Sequence, residues 1–199
     1  MEILLATTNL HKIREFREMC KPFSHLEILS LHQFPSYIAP VETGKTFKEN
    51  AILKAEHAAK QLNVWAIADD SGLVVPFLQG QPGIYSRRYA GPEACDADNR
   101  KKLLQEMARL TTQEDRSAYY ECCLAVANSS GLKKCVQGVC EGFILTEAKG
   151  RYGFGYDSLF VKNDYEKTFA ELDETIKNRI SHRRKAFERL AAFLENLRG

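Results

Sequence analysis

The sequence lacks several patterns that would assign it to common functional classes. None of its six cysteines forms a C-x-x-C pair, which argues against a zinc site. It contains no G-x-x-x-x-G-K segment, and therefore no Walker A phosphate loop. The formal net charge is only +2, too small to indicate a nucleic-acid-binding protein. No apolar stretch is long enough to span a bilayer, so we expect neither a nucleic-acid nor a membrane partner.

What remains is the composition of an ordinary globular protein. The chain has 199 residues, of which 44% are hydrophobic and 27% charged, and this predicts a single domain over residues 1–199, with or without two lobes. Cys122 and Cys123 lie in an apolar, strand-like run, where reduced cysteine behaves as a small hydrophobe. The apolar run 3–6 is too short for a signal-peptide core. We therefore expect a reducing, cytoplasmic setting.

Two adjacent carboxylates follow a short apolar run in the middle of the chain. Residues 64–68 predict a strand buried on both faces, and Ser71 with Gly72 predicts a turn after Asp69 and Asp70. Successive strand residues point to opposite faces, so the two aspartates should have different roles. The alternative is a turn in which Asp and Ser side chains only bond their own backbone.

An anion site is predicted near the N-terminus. A strand over 3–6 and a polar loop precede a helix over 11–19 that has Lys12 in its first turn. Backbone N–H groups and the positive end of the helix dipole favour anions at such a place. The alternative is that Asn9 only caps the helix.

A second helix is predicted to begin after Thr46 and to end near Leu62. Thr46 and Glu49 fit a capping box, and Lys54 lies at the border of the apolar face. A lysine there can reach into a cleft or only extend along the surface to solvent. Glu42 precedes the helix in a loop, where its carboxylate is able to meet those of Asp69 and Asp70.

The second half of the chain predicts a loop over 84–91, a helix over 96–110, a hairpin of strands 118–127 and 133–145, and an amphipathic C-terminal helix that Ser181 could cap. Three glycines alternate with aromatic residues over 150–157, a pattern that allows unusual backbone conformations and base stacking. The basic cluster over 183–185 opposes the dipole preference at a helix start. An electron-rich partner there, a nucleic-acid patch and solvated charge are all open.

Six segments in one order resemble the inosine/xanthosine triphosphate pyrophosphatase family, hydrolases of non-canonical purine nucleotides. The segments cover nearly the whole chain and are 6–12 (ATTNLHK), 42–51 (ETGKTFKENA), 68–73 (ADDSGL), 82–91 (PGIYSRRYAG), 153–157 (GFGYD) and 180–183 (ISHR). The resemblance implies an elongated α/β fold with a mixed, twisted β-sheet flanked by helices. It also implies two lobes with a central active-site cleft, and a homodimer.

The resemblance further implies a set of site residues. Glu42 and Asp70 bind Mg²⁺, Asp70 is the catalytic base, and Lys54 and Asp69 are supporting residues. The substrate-binding residues it implies are Thr7, Thr8, Asn9, Leu10, His11, Lys12, Ser71, Phe154, Gly155, Tyr156, Asp157, Lys177, His182 and Arg183.

The implied activity is hydrolysis of ITP, dITP and XTP to the monophosphate and pyrophosphate. Two alternatives are a nucleotide-binding regulator without turnover and an NTPase that releases the γ-phosphate. Thr8, Arg87, Ser158 and Arg184 depart from residues common in the family, and these departures leave the preference among substrates open.

Overall fold

A computed structural model describes residues 1–197 as two compact units. Unit 1 comprises 1–70, 122–138 and the chain from 183 onward, and unit 2 comprises 71–121 and 139–182. Arg198 and Gly199, which the single-domain prediction includes, lie outside the described residues. None of the helices in the described part of the chain is both long and apolar enough to cross a membrane.

The N-terminal elements of unit 1 alternate between strand and helix. Its complete elements are β1 (Glu2–Leu5), α1 (Leu10–Cys20), β2 (Glu27–Ser30) and α2 (Phe47–Leu62). Both predicted caps are present, because the side chains of Asn9 and Thr46 accept bonds from the backbone N–H of Lys12 and Glu49 at 3.1 Å each. The last helix, α5 (His182–Glu195), has all but its first residue in this unit.

Unit 2 contains shorter elements between longer loops. They are a 3-10 helix (Gly83–Arg88), α3 (Asp96–Glu106), β6 (Phe160–Lys162) and α4 (Glu174–Ile180). Three strands have residues in both units: β3 (Ala66–Val74), β4 (Ser117–Asn128) and β5 (Gly131–Ile144).

The strands form one six-stranded mixed sheet in the order β2-β1-β3-β4-β5-β6. β1 pairs in parallel with β2 and β3, whereas β5 pairs antiparallel with β6. The predicted hairpin corresponds to the neighbouring strands β4 and β5. The predicted α/β class, a mixed sheet flanked by helices, is confirmed.

Each unit has its own apolar core. In unit 1 the core lies among β1, α1, β4 and α5, with Phe16 and Leu190 fully buried. In unit 2 it includes β3, α3 and the chain around β6, with Leu103 and Phe169 fully buried. Cys122 and Cys123 are buried in β4, as the apolar run predicts.

Several local predictions are wrong. β3 continues through Ser71 and Gly72 without a turn, and the Leu73 backbone N–H donates to the Ser86 hydroxyl at 2.9 Å. A central strand between two neighbours can retain a Ser-Gly pair that in isolation favours a turn. The segment predicted as a loop over 84–91 is largely the 3-10 helix, and α3 ends at Glu106 rather than at residue 110. β6 and α4 were not predicted, because both are short and weakly patterned.

Candidate active site

The loop after β1 leads directly into the first turn of α1. The Thr7 hydroxyl accepts the Asn9 backbone N–H at 3.2 Å, so the loop is closed on itself before the helix begins. Thr8, Leu10 and His11 are exposed, and Lys12 is partly buried. The start of α1 therefore offers an anion two kinds of positive group, the Lys12 ammonium and the backbone N–H groups of the first helical turn.

Asp69 is the centre of a buried ion-pair network with Lys12, Arg183 and Glu15. The Asp69 carboxylate accepts from Lys12 Nζ, and from Arg183 Nε at 2.8 Å. Arg183 also donates to Glu15, one turn after Lys12 on α1. Two cations and two carboxylates thus balance in a region where a lone charge would be costly. Cys122 adds a thiol donor to Asp69 at 3.1 Å.

The network fixes the ionisation state of Asp69. Burial alone would raise its pKa, but Arg183 and Lys12 outweigh burial and lower the pKa well below the usual range. Burial and the neighbouring Asp69 charge raise the pKa of Cys122 well above its ordinary value. The aspartate is therefore charged and the thiol neutral near pH 7, which suits Asp69 to hold Lys12 rather than to exchange protons.

A second group, the carboxylate cluster, consists of Glu42, Lys54 and Asp70. Lys54 Nζ, projecting from α2, donates to Glu42 at 2.9 Å and to Asp70 at 2.6 Å. The two carboxylates come from distant parts of the chain and meet at one nitrogen. Of the two alternatives for Lys54, the structure shows the inward one.

The Glu42 loop is itself held by α2. The Asn50 side chain accepts the Gly44 backbone N–H at 2.8 Å, and a Cβ added at Gly44 would lie 2.6 Å from that same side-chain oxygen. Only glycine allows this close approach. One helix therefore supplies both the residue that fixes the loop and the lysine that contacts its carboxylate.

Asp70 differs from Asp69 in its surroundings. Its Oδ2 atom is buried and has no hydrogen-bond partner among the described residues. Burial raises the pKa of Asp70, which the charges of Lys54 and Lys12 oppose only in part. Burial alone would lower the pKa of Lys54, but Asp70 and Glu42 outweigh it and raise the pKa. Asp70 therefore has a buried carboxylate oxygen that no described residue occupies and that is available to a ligand.

Unit 2 holds a different arrangement, the Asp157 cluster, which comprises Asp157, Lys177, Phe154 and Tyr120. Asp157 Oδ2 accepts from Lys177 Nζ at 2.6 Å and from the Phe154 backbone N–H at 2.9 Å. Its Oδ1 accepts from the Tyr120 hydroxyl at 3.3 Å. A Cβ at Gly153 would lie 2.1 Å from Asp157 Oδ2, so the loop closes around the carboxylate only because glycine stands there.

Aromatic rings surround this cluster. The Lys177 ammonium lies 4.6 Å from the centre of the Phe154 ring, within cation–π range. The buried His182 ring is stacked on Tyr120, with 4.7 Å between centroids and 10° between planes. Tyr156 is buried and donates to the Ser86 carbonyl at 2.9 Å. The GFGYD segment and α4 thus converge on one aspartate.

The structure distributes the predicted site residues over these groups. Lys12, Asp69 and Arg183 share one network in unit 1, where Glu42, Lys54 and Asp70 form the other. Phe154, Asp157, Lys177 and His182 lie together in unit 2, Gly155 and Tyr156 are in the same loop, and Ser71 follows Asp70 on β3. Arg183, which the resemblance assigns to the nucleobase, is 1% exposed and bonded to two carboxylates of unit 1. Its nucleobase role stays a prediction.

The basic cluster at the start of α5 also finds partners within the protein. Arg183 pairs with Asp69 and Glu15, and Arg184 pairs with Glu188 one turn later at 2.8 Å. An electron-rich partner is thus present for Arg183, supplied by the chain itself.

Sequence reasoning missed the residues that support the predicted ones. Glu15, Asp96, Arg100 and Tyr120 contact a predicted residue or its loop, yet none of the four lies in a quoted motif. Asn50 lies in the segment 42–51, but its bond to the Gly44 backbone was not predicted. The i, i+3 spacing of Lys12 and Glu15 on one helix was the available signal. Residues 1–197 contain no group of three or more His, Cys, Asp or Glu side chains arranged to hold a metal.

Comparisons with known proteins agree with the resemblance. The model of the Ham1 family matches residues 3–193. A dITP/XTP pyrophosphatase of Protochlamydia amoebophila is 77% identical over 198 residues, covering 100% of both chains. One of Chlamydia caviae is 52% identical over 99% of this chain and 96% of its own.

Solved structures show the same fold. The Ham1 protein of Staphylococcus aureus superposes with a TM-score of 0.87 at 42% identity, covering 98% of each chain. A HAM1 protein of Coxiella burnetii gives 0.90 at 41% identity, over 99% of this chain and 100% of its own. With the family match across nearly its whole length, the chain belongs to the Ham1 family.

Proposed function

We propose that this protein hydrolyses non-canonical purine nucleoside triphosphates, namely ITP, dITP and XTP, to the monophosphate and pyrophosphate. The relatives named dITP/XTP pyrophosphatase, which align over the full chain, support the substrate class. The observation that carries the proposal is the carboxylate cluster, in which the buried Asp70 Oδ2 has no hydrogen-bond partner within residues 1–197. A protein that only binds nucleotides gains little from carboxylates near phosphates.

Glu42 and Asp70 fit a divalent cation. Their oxygens share Lys54, and the orphaned Asp70 Oδ2 is an acceptor that a cation would satisfy. Mg²⁺ prefers carboxylate oxygens and retains water and phosphate ligands, so two protein carboxylates are sufficient. We therefore propose Mg²⁺ as the cofactor, where it would supply Lewis-acid neutralisation of phosphate charge.

Asp70 is proposed as the general base. In the reaction a water oxygen bonds to the α-phosphorus, the bond from that phosphorus to the bridging oxygen of pyrophosphate breaks, and the water proton passes to the Asp70 carboxylate. Burial raises the pKa of Asp70, which brings it closer to the value that a base needs near neutral pH. Lys54 holds Oδ1 and so orients the carboxylate.

The start of α1 is proposed to hold the triphosphate. Phosphoryl transfer depends on charge neutralisation and positioning more than on covalent help. Lys12 and the N-terminal backbone donors supply positive charge there, and Asp69 fixes the Lys12 side chain. The residues proposed for this role are Thr7, Thr8, Asn9, Leu10, His11 and Lys12. Ser71, which follows Asp70 on β3, is proposed to contact the substrate.

The Asp157 cluster and its neighbours are proposed to recognise the nucleobase. Hypoxanthine and xanthine present O6 as an acceptor, whereas adenine presents an amine. Lys177, His182 and backbone N–H groups are donors, and donors left unpaired against adenine reject it strongly. Phe154 offers a ring face for stacking.

A product assay tests the activity directly. The protein is incubated with Mg²⁺ and ITP, dITP, XTP, ATP or GTP, and pyrophosphate and orthophosphate are measured separately. Pyrophosphate from ITP with little from ATP is the expected result. Orthophosphate alone would identify an NTPase that releases the γ-phosphate, and neither product would identify a regulator without turnover.

We also propose a homodimer that works in the cytoplasm. Among residues 1–197 the six cysteines form no disulfide bond, and disulfides are rare in a reducing compartment. Light scattering after size-exclusion chromatography at several concentrations tests the dimer, and a concentration-independent monomer mass would refute it.

A further inference from the structure

Two residues of α3 that belong to no quoted motif, Asp96 and Arg100, contact the GFGYD loop at Gly155. Gly155 has a positive φ of 61°, and both of its backbone polar groups are bound by side chains of this one helix. Its N–H donates to Asp96 Oδ2 at 2.6 Å, and its carbonyl accepts from Arg100 Nη1 at 2.8 Å. Asp96 and Arg100 are four residues apart, so they lie on the same face of α3.

This double contact fixes the peptide planes on either side of Gly155. Those planes determine the directions of the two neighbouring side chains, Phe154 and Tyr156. The Phe154 ring lies against the Lys177 ammonium, and Tyr156 is anchored to the Ser86 carbonyl. A glycine whose polar groups were not held could rotate both planes at little cost, since it has the widest choice of backbone conformations.

α3 is itself well anchored on the other side. The buried Asn99 side chain accepts the Ala90 N–H at 2.8 Å and donates to the Arg87 carbonyl at 2.9 Å. Asp96 is exposed and Arg100 is half-buried, so neither is needed to fill the core. Their hydrogen bonds to a loop, made from a rigid helix, indicate a positioning role.

We propose that Asp96 and Arg100 are positioning residues for nucleobase recognition, acting through the backbone of Gly155. This inference rests on the proposed function, and it means that α3 fixes the conformation of the GFGYD loop that would recognise the nucleobase. Removing either side chain should weaken binding of the base and leave the phosphate chemistry of unit 1 intact.

The test compares Asp96→Ala and Arg100→Ala with the wild type. Steady-state release of pyrophosphate from ITP gives KM and kcat, and competition gives Ki for IMP, which carries the base, and for tripolyphosphate, which does not. Because a charge-assisted hydrogen bond is lost, KM for ITP and Ki for IMP should rise about tenfold. The kcat and the Ki for tripolyphosphate should stay at their wild-type values.

Two further variants separate positioning from a general effect on the helix. Asp96→Asn retains an oxygen that accepts the Gly155 N–H and should restore most of the affinity for IMP. Asp98→Ala removes the other acidic side chain of the first turn of α3, whose Oδ2 accepts the Cys95 backbone N–H at 2.9 Å. This bond does not involve the GFGYD loop, so the variant should have the same KM and Ki values as the wild type.

Each result decides the matter. Three results would overturn the inference: an unchanged Ki for IMP in both alanine variants, an equal rise in Ki for IMP and for tripolyphosphate, or the same rise in Ki for IMP in Asp98→Ala. In each case, release of pyrophosphate by the wild type would still support the proposed function. If the wild type released no pyrophosphate from ITP, dITP or XTP, the proposed function would fail instead.

Discussion

Asp70 in unit 1 and Asp157 in unit 2 are both buried and bonded to a lysine, but they differ in how many of their carboxylate oxygens accept hydrogen bonds. Asp157 in unit 2 accepts from Lys177, from a backbone N–H and from Tyr120, so both of its oxygens have partners. Asp70 in unit 1 accepts from Lys54 on one oxygen, and its other oxygen is buried without a hydrogen-bond partner in the described part of the chain. A carboxylate satisfied by its own chain fixes the shape of a loop, whereas one with a spare acceptor is suited to a ligand or a proton.

The largest expected effect is a loss of kcat on substitution of Asp70. Asp70→Asn keeps the size of the side chain but removes its basicity, so kcat should fall by about 10²–10⁴-fold while nucleotide binding persists. Pyrophosphate release from ITP measures the loss, and equilibrium dialysis of ITP measures binding. The control is Asp164→Asn, an exposed aspartate of unit 2. Near-normal turnover in Asp70→Asn would exclude Asp70 as the base.

The ion-pair network provides the next effect, on stability. Arg183→Met leaves Asp69 and Glu15 buried without their common cation, which should cost about 3–5 kcal/mol of unfolding free energy. The neighbouring Arg184→Met removes a partly exposed pair with Glu188 and should cost less than about 1 kcal/mol. Urea unfolding measures both, and equal costs would contradict the importance of the network.

The same variant has a predicted pH dependence. The depressed pKa of Asp69 stabilises the fold above the unfolded-state value of about 3.9, and this stability is lost as the pH falls through the folded-state pKa. Without Arg183 the folded pKa rises towards the unfolded one. The loss of unfolding free energy below about pH 4 should therefore be smaller in Arg183→Met than in the wild type.

A smaller effect is expected at the lysine that joins Glu42 to Asp70. Lys54→Met removes two charge-assisted hydrogen bonds and should lower kcat/KM by about 10–100-fold. Because Lys54 lowers the pKa of Asp70, its loss should move the ascending limb of the pH–rate profile to higher pH. Lys60→Met, on the exposed face of the same helix, is the control. An unshifted limb would show that Lys54 does not tune the base.

The smallest expected effect is a rise in KM when Asp157 loses one hydrogen-bond donor. Tyr120→Phe keeps the ring stacked on His182 and removes only the hydroxyl that donates to Asp157. We expect KM for ITP to rise no more than about tenfold, with kcat unchanged. A fall in kcat as large as that of Asp70→Asn would remove the distinction between the two aspartates.

The sequence predicted the elements whose signals are local. Asn9 and Thr46 begin α1 and α2 through their own side chains, and the turn between β4 and β5 stands where a polar run separates two apolar ones. The turn predicted at Ser71 and Gly72 was wrong, because pairing of β3 with its neighbours overrides local preference. Local signals thus placed the starts of α1 and α2 well, but they failed at the end of α3 and at Ser71 and Gly72, where the sheet decides.

The site was predicted less completely, for a related reason. The resemblance implied roles for Glu42, Lys54 and Asp70, but only the folded chain brings Lys54 of α2 to both carboxylates. Asp96 and Tyr120 belong to no motif and are separated by many residues from the loop that they contact. Only the folded chain shows that they touch it.

Gly153 has a consequence for protein engineering. Any larger residue there would collide with the carboxylate of Asp157, and the positive φ of 77° would strain it further. Libraries intended to broaden the range of accepted substrates should therefore keep this position constant. Diversity is better introduced at Tyr152, which is 67% exposed.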